Sequence, residues 1–220
     1  MTILIIGTGN MARGISTRLL AGGHEVRLYN PDHADAEKLA GELSTSSSGP
    51  GQVNAAAELD EAISASEVVV LALWYPVNLE VARDHAEALD GKVIVDISNP
   101  LNETYDAPAT EGGPSAAERI QAVLPAGSKV VKAFNTTFAG TLVDGNVAGQ
   151  TLDVLLAGDD EAAKQTVATL ATGGGLNAVD VGVLERARQL EALGFLGIAL
   201  QSRLDTGFMT GWKLVLPRAG

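Results

Sequence analysis

The residues able to do chemistry on their own are sparse in this 220-residue chain. It has no cysteine and only 3 scattered histidines, which rules out thiolate chemistry and gives no metal-ligand spacing. Asp159, Asp160 and Glu161 look like a helix start, where negative charge offsets exposed N–H groups. The feature with chemical content is a turn. After the apolar run Ile3 to Ile6, the residues Gly7-Thr8-Gly9-Asn10-Met11-Ala12 open a helical pattern. Gly7 permits a tight turn, Gly9 lets the main chain approach a pyrophosphate, and the small Ala12 lets helix and strand pack closely. The N–H groups of Thr8 to Met11, at the positive end of a helix, would then hold phosphate. The chemistry implied is the binding of a dinucleotide.

The end of the second strand decides which dinucleotide. Enzymes using NAD usually place a carboxylate there, on the ribose 2'-hydroxyl. Here the strand ends Leu28-Tyr29-Asn30, so nothing at that position repels a 2'-phosphate, and Asn30 and His33 can donate hydrogen bonds to it. Asp32, two residues on, works against this reading, whereas Arg13 at the start of the first helix can reach the same region. NADP(H) is therefore the expected cofactor.

Positioning such a turn requires strands and helices in alternation, and the chain supplies them. Apolar runs of strand length recur at Ile3–Ile6, Val26–Tyr29, Val68–Leu73, Val93–Ile97 and Val130–Phe134, with a short one near Val53. Between them lie helical patterns at roughly Met11–Ala21, Ala34–Leu43, Leu59–Ala65, Val77–Leu89 and Ala116–Leu124. Runs that are continuously apolar read as strands buried on both faces. The expected fold is α/β, a doubly wound (Rossmann) parallel sheet with a small C-terminal helical extension. We divide the chain into residues 1–150, the dinucleotide-binding part, and 151–220, a strand and helix extension completing the cofactor cleft as one compact unit with the first. The runs Val154–Ala157 and Ala178–Val181 could extend the sheet, and Leu184–Leu204 reads as one long helix that packs on the sheet or on a partner chain. A net charge of -12 repels nucleic acid and acidic lipid surfaces. No run of apolar residues approaches membrane-span length, and the first apolar run is too short for a signal peptide. A cytoplasmic enzyme, a homodimer with small-molecule cofactors as its partners, is the expectation.

Three segments carry a resemblance: Gly7 to Gly14, then Gly23-His24-Glu25-Val26, and Lys129-Val130-Val131-Lys132-Ala133-Phe134-Asn135-Thr136-Thr137. With Val70 to Pro76, Asp96 to Leu101 and Gly211-Trp212-Lys213-Leu214, they make the chain resemble the coenzyme F-420-dependent NADP oxidoreductase family over nearly its whole length. The resemblance implies hydride transfer between NADPH and a flat deazaflavin, coenzyme F-420 or a related flavin, with the protein supplying orientation and exclusion of water. It places the backbone of Thr137 and Ala139 beside the nicotinamide, with Asn135 at the mouth of the same strand. Leu73, Trp74, Pro76, Ser98, Asn99 and Pro100 follow strand ends, where ligands in open α/β sheets bind. Trp74 and Trp212 are candidate walls for a flat ring, and Gly194 and Gly197 call for something packed closely against the last helix. The sequence departs from the family at Asn30-Pro31, where members usually carry Ser or Thr followed by Arg, and in the deazaflavin stretch Asn102–Ala109. Two further readings stay open: an NADP-dependent reductase of a small imine or carbonyl, and a non-catalytic NADP(H)-sensing protein.

Overall fold

Strand β1 (Thr2–Ile6) shows how the fold is built: Ile3 and Ile5 enter one hydrophobic cluster, and Leu4 and Ile6 enter a second on the opposite face. Successive side chains of a strand point to opposite faces, so a run without polar residues demands cover on both sides. In the computed structural model, which describes residues 1–104, 107–110, 112–215 and 217, that cover is helical. Burying each Ile or Leu fully contributes about 1.5–3 kcal/mol.

Five more strands, β2 (Glu25–Tyr29), β3 (Gln52–Ala55), β4 (Val68–Leu71), β5 (Val93–Asp96) and β6 (Lys129–Lys132), pair in parallel with β1 in the order β3-β2-β1-β4-β5-β6. On one face pack α1 (Asn10–Ala21) and α2 (His33–Ser46), through Ile15, Leu19 and Leu39. On the other pack α3 (Leu59–Ser64), α4 (Tyr75–Asp84) and α5 (Ala116–Gln121), through Ile63, Ala82 and Ile120. This is the doubly wound α/β architecture expected from the sequence.

Beyond β6 come α6 (Ala139–Asp144) and a short antiparallel ribbon, β7 (Asn146–Val147) with β8 (Gln150–Thr151). β9 (Asp153–Gly158) and β10 (Asn177–Asp180), joined by α7 (Glu161–Gly173), extend the sheet to eight strands. β10 runs parallel to β9, but β9 meets β6 antiparallel. A 3₁₀ turn (Leu184–Arg186) leads into α8 (Ala187–Leu204), so the last helix starts three residues later than its apolar spacing suggests. β4 also stops at Leu71 rather than Leu73, because the buried Asn78 captures the next residues: its Nδ2 donates to the carbonyls of Leu71 and Leu73 at 3.2 Å each, and its Oδ1 accepts from Leu73 N–H at 3.2 Å. Among the described residues no helix is long and apolar enough to cross a membrane.

Candidate functional site

The carboxyl ends of β1, β4, β5 and β6 open into one cleft of about 570 Å³. Its first wall is the glycine turn. Gly7 has φ +118°, and a Cβ there would lie 2.6 Å from Ala72 O, so only glycine fits between β1 and β4. Gly9, the N-cap of α1, faces open space, with nothing within 4 Å of where its Cβ would stand, and no side chain caps the helix. The first N–H groups of α1 therefore retain their hydrogen-bonding capacity beside an unobstructed main chain, which is what a pyrophosphate requires. Ala12 is fully buried behind the turn.

Thr8 and Asn30 close the next corner. Asn30 Nδ2 donates to Thr8 Oγ1 at 2.6 Å, and Asn30 Oδ1 accepts from Asp32 N–H at 2.9 Å. Asn30 thus spends one Nδ2 hydrogen and accepts with its Oδ1 within the chain. Asp32 caps α2, accepting from Ala34 N–H at 3.1 Å. His33 turns away from the cleft: Nδ1 lies 3.2 Å from Ala56 O and Nε2 3.5 Å from Glu37.

The turn after β6 supplies the floor. Phe134 is buried in a left-handed conformation at φ 61°, a strained state for a non-glycine residue. Thr137 ties the turn shut, its N–H and Oγ1 donating to Phe134 O at 3.1 and 2.7 Å. The turn aims Asn135 at the cleft. Asn135 Nδ2 donates to Asn99 Oδ1 and to Leu190 O at 2.9 Å each, while its buried Oδ1 has no hydrogen-bond partner among the described residues.

Of the residues singled out in the sequence, the cleft lining brings together Thr8, Gly9, Asn10, Met11, Asn30, Leu73, Trp74, Ser98, Asn99, Asn135 and Thr137. Trp74 stands at its mouth, 61% exposed. Gly7, Ala12 and His33 lie outside the lining, as do Pro76, exposed in the first turn of α4, and Ala139, at the start of α6 against Gly14. Pro100 faces a neighbouring pocket instead. Trp212 packs on Gly197 and not on the cleft, and Gly194 is covered by Asn99 and Asn135, so the chain itself fills the space over both helix glycines. Of the poorly matched stretch Asn102–Ala109, Tyr105 and Asp106 lie outside the described residues.

Sequence reasoning missed the far wall, where Ile198 of α8 and Phe208 of the tail line the cleft and Phe208 meets Phe138 edge-on at 5.3 Å between ring centres. It also missed the support under the floor. Lys132, fully buried at the end of β6, donates to Asp96 Oδ2 at 2.8 Å, to Glu191 Oε1 at 2.9 Å and to Ser98 O. Asp96 Oδ1 in turn accepts from Ser98 N–H at 3.0 Å and Ser98 Oγ at 2.6 Å. Burial works against the Lys132 ammonium, but Asp96 and Glu191 outweigh it and hold its pKa above the usual lysine value. Burial pushes the Glu191 carboxyl up, with Lys132 opposing. A lysine inside an otherwise apolar strand run was the available signal.

Comparison with known proteins gives the family. A family model described as NADP oxidoreductase, coenzyme F-420-dependent, matches residues 2–100. An F-420-dependent NADP reductase of Methanothermobacter thermautotrophicus is 31% identical over 213 residues, 92% of this chain and 90% of that protein. The chain belongs to the coenzyme F-420-dependent NADP oxidoreductase family. A solved structure from Arthrobacter sp. FB24, named for an F-420-dependent NADP-reductase, superposes on this family member with TM-score 0.80 at 30% identity, covering 97% of this chain and 99% of that one. The rat metalloreductase STEAP3 is 32% identical over 196 residues, 86% of the chain, and the chain spans 35% of its length.

Proposed function

We propose that the chain transfers a hydride between NADP(H) and coenzyme F-420. The observation that carries this reading is the chemical character of the cleft: among the described residues its lining contains no Asp, Glu, Lys, Arg or His, and Tyr75 is its one titratable side chain. Reduction of a small carbonyl or imine is served by a positioned proton donor. Hydride transfer between two ring systems asks instead for orientation and dryness.

The residues divide those tasks. The uncapped start of α1, with Gly9 giving clearance, holds the pyrophosphate through the N–H groups of Asn10 and Met11. Asn135 and Thr137, on the floor of the cleft, flank the nicotinamide carboxamide. Leu73, Trp74, Ile198 and Phe208 present apolar surface to the flat partner and exclude water. Asn99 and Asn135 brace the floor, Asn99 Nδ2 donating to the Asn135 carbonyl and Asn135 Nδ2 to Asn99 Oδ1. When both are bound, the nicotinamide and the deazaflavin supply the chemistry, a hydride passing between them and solvent balancing the proton.

The test is anaerobic mixing of the protein with NADPH and oxidised coenzyme F-420 while following deazaflavin absorbance. Bleaching by NADPH is the expected result. Dinucleotide binding without bleaching overturns the reading.

A further inference from the structure

We propose that the adenosine 2'-phosphate is received by a separate polar pocket between α1 and α2, with Arg13 and Lys38 as its cations. The proposal rests on the reading that the cleft binds a dinucleotide. The pocket, about 180 Å³, is lined by Thr8, Arg13, Asp35, Lys38, Leu39 and Glu42. Thr8 also lines the main cleft, so the two spaces adjoin at one residue. In this fold the adenosine ribose sits at the end of β2 beside the glycine turn. Here that place is marked by the 2.6 Å hydrogen bond from Asn30 Nδ2 to Thr8 Oγ1.

The residues next to that ribose position cannot supply the charge. Asn30 is neutral and turned to Thr8 and Asp32, Pro31 has no donor, Asp32 is an anion engaged in capping, and His33 turns toward Ala56 and Glu37. The pocket behind Thr8 does supply it. Arg13 projects from the first turns of α1 and pairs with Glu42, both side chains about 40% exposed. An exposed ion pair of this kind is weak, and a phosphate, with more charge and three acceptor oxygens, displaces a single carboxylate from a guanidinium. Lys38 makes no hydrogen bond or ion pair among the described residues, although Glu42 feels its charge. Asp35 and Glu42 balance the two cations formally, so Glu42 acts as a built-in competitor for Arg13, and its removal must strengthen phosphate binding.

The experiment uses the full chain and two probes that differ only in the 2'-phosphate, adenosine 2',5'-bisphosphate and 5'-AMP, titrated calorimetrically. The wild type is expected to bind the bisphosphate about tenfold more tightly. R13Q and K38Q each lose most of that preference and bind 5'-AMP as before, while E42Q gains roughly threefold on the bisphosphate alone. The gain in E42Q cannot arise from damage to the fold. Equal binding of both probes by the wild type, or an R13Q variant that weakens both alike, overturns the proposal. Failure of the hydride-transfer reading shows separately, as preferential bisphosphate binding without bleaching of coenzyme F-420.

Discussion

Asn99 and Asn135 hold each other across the ends of β5 and β6: Asn99 Nδ2 donates to Asn135 O at 2.8 Å, and Asn135 Nδ2 donates to Asn99 Oδ1 at 2.9 Å. Gly194 of α8 lies against this clasp. A Cβ there would contact Asn99 Oδ1 and stand 2.9 Å from Asn135 O. In an ordinary helix interior Gly→Ala stabilises by up to about 1 kcal/mol. Here the sign reverses: Gly194→Ala should destabilise by about 1–3 kcal/mol through overpacking, read as a lower midpoint in urea.

Gly9→Ala separates binding from folding. Beyond its chain neighbours the added methyl meets no protein atom within 4 Å, so the unfolding free energy should fall by no more than about 1 kcal/mol, the cost of alanine at an N-cap. Dinucleotide affinity should fall about tenfold or more, because the methyl occupies the approach to the pyrophosphate. Unchanged affinity by titration of NADPH fluorescence would falsify the placement of the dinucleotide.

Lys132→Met leaves Asp96 and Glu191 buried without their cation. A loss of about 3–5 kcal/mol in unfolding free energy is expected. Glu191→Gln should cost much less, since Lys132 keeps Asp96 and the Ser98 carbonyl. Chemical denaturation of the two variants side by side checks the order.

The acid limb of stability has a named contributor. Arg188, donating two hydrogen bonds, and then Ser115, hold the Glu118 carboxyl down at about 2 from an ordinary 4.5, against the effect of burial. A depressed pKa contributes stability that is present above the unfolded value and lost as pH falls toward the folded one. Thermal unfolding should therefore show a loss between about pH 4.5 and about pH 2 that is smaller in Glu118→Gln.

Among the described residues, Tyr75 carries the one titratable side chain in the cleft lining. If hydride transfer needs no protein acid, Tyr75→Phe should leave turnover with NADPH and coenzyme F-420 within about twofold. A loss of about a hundredfold or more would instead make the phenol a proton-transfer group in the reaction.

The alternation of strands and helices, the glycine turn and the placing of Thr8 to Met11, Leu73, Trp74, Ser98 and Asn99 at strand ends were legible in the sequence, because they depend on local periodicity and on residues a few positions apart. The tertiary structure alone decided three things. β9 runs against β6, and an apolar run reads the same in both directions. Lys132 meets Asp96 and Glu191, 36 and 59 residues away, because register places Lys132 opposite Asp96 and α8 folds back over both. Arg13, already within reach of the 2'-phosphate region by its place in the sequence, is joined in one pocket by Lys38 only because α1 and α2 pack side by side on the same face of the sheet. Local pattern fixes which residues share a strand end or a helix face; which of those ends and faces meet depends on packing between segments far apart in the chain, and no spacing along the sequence encodes it.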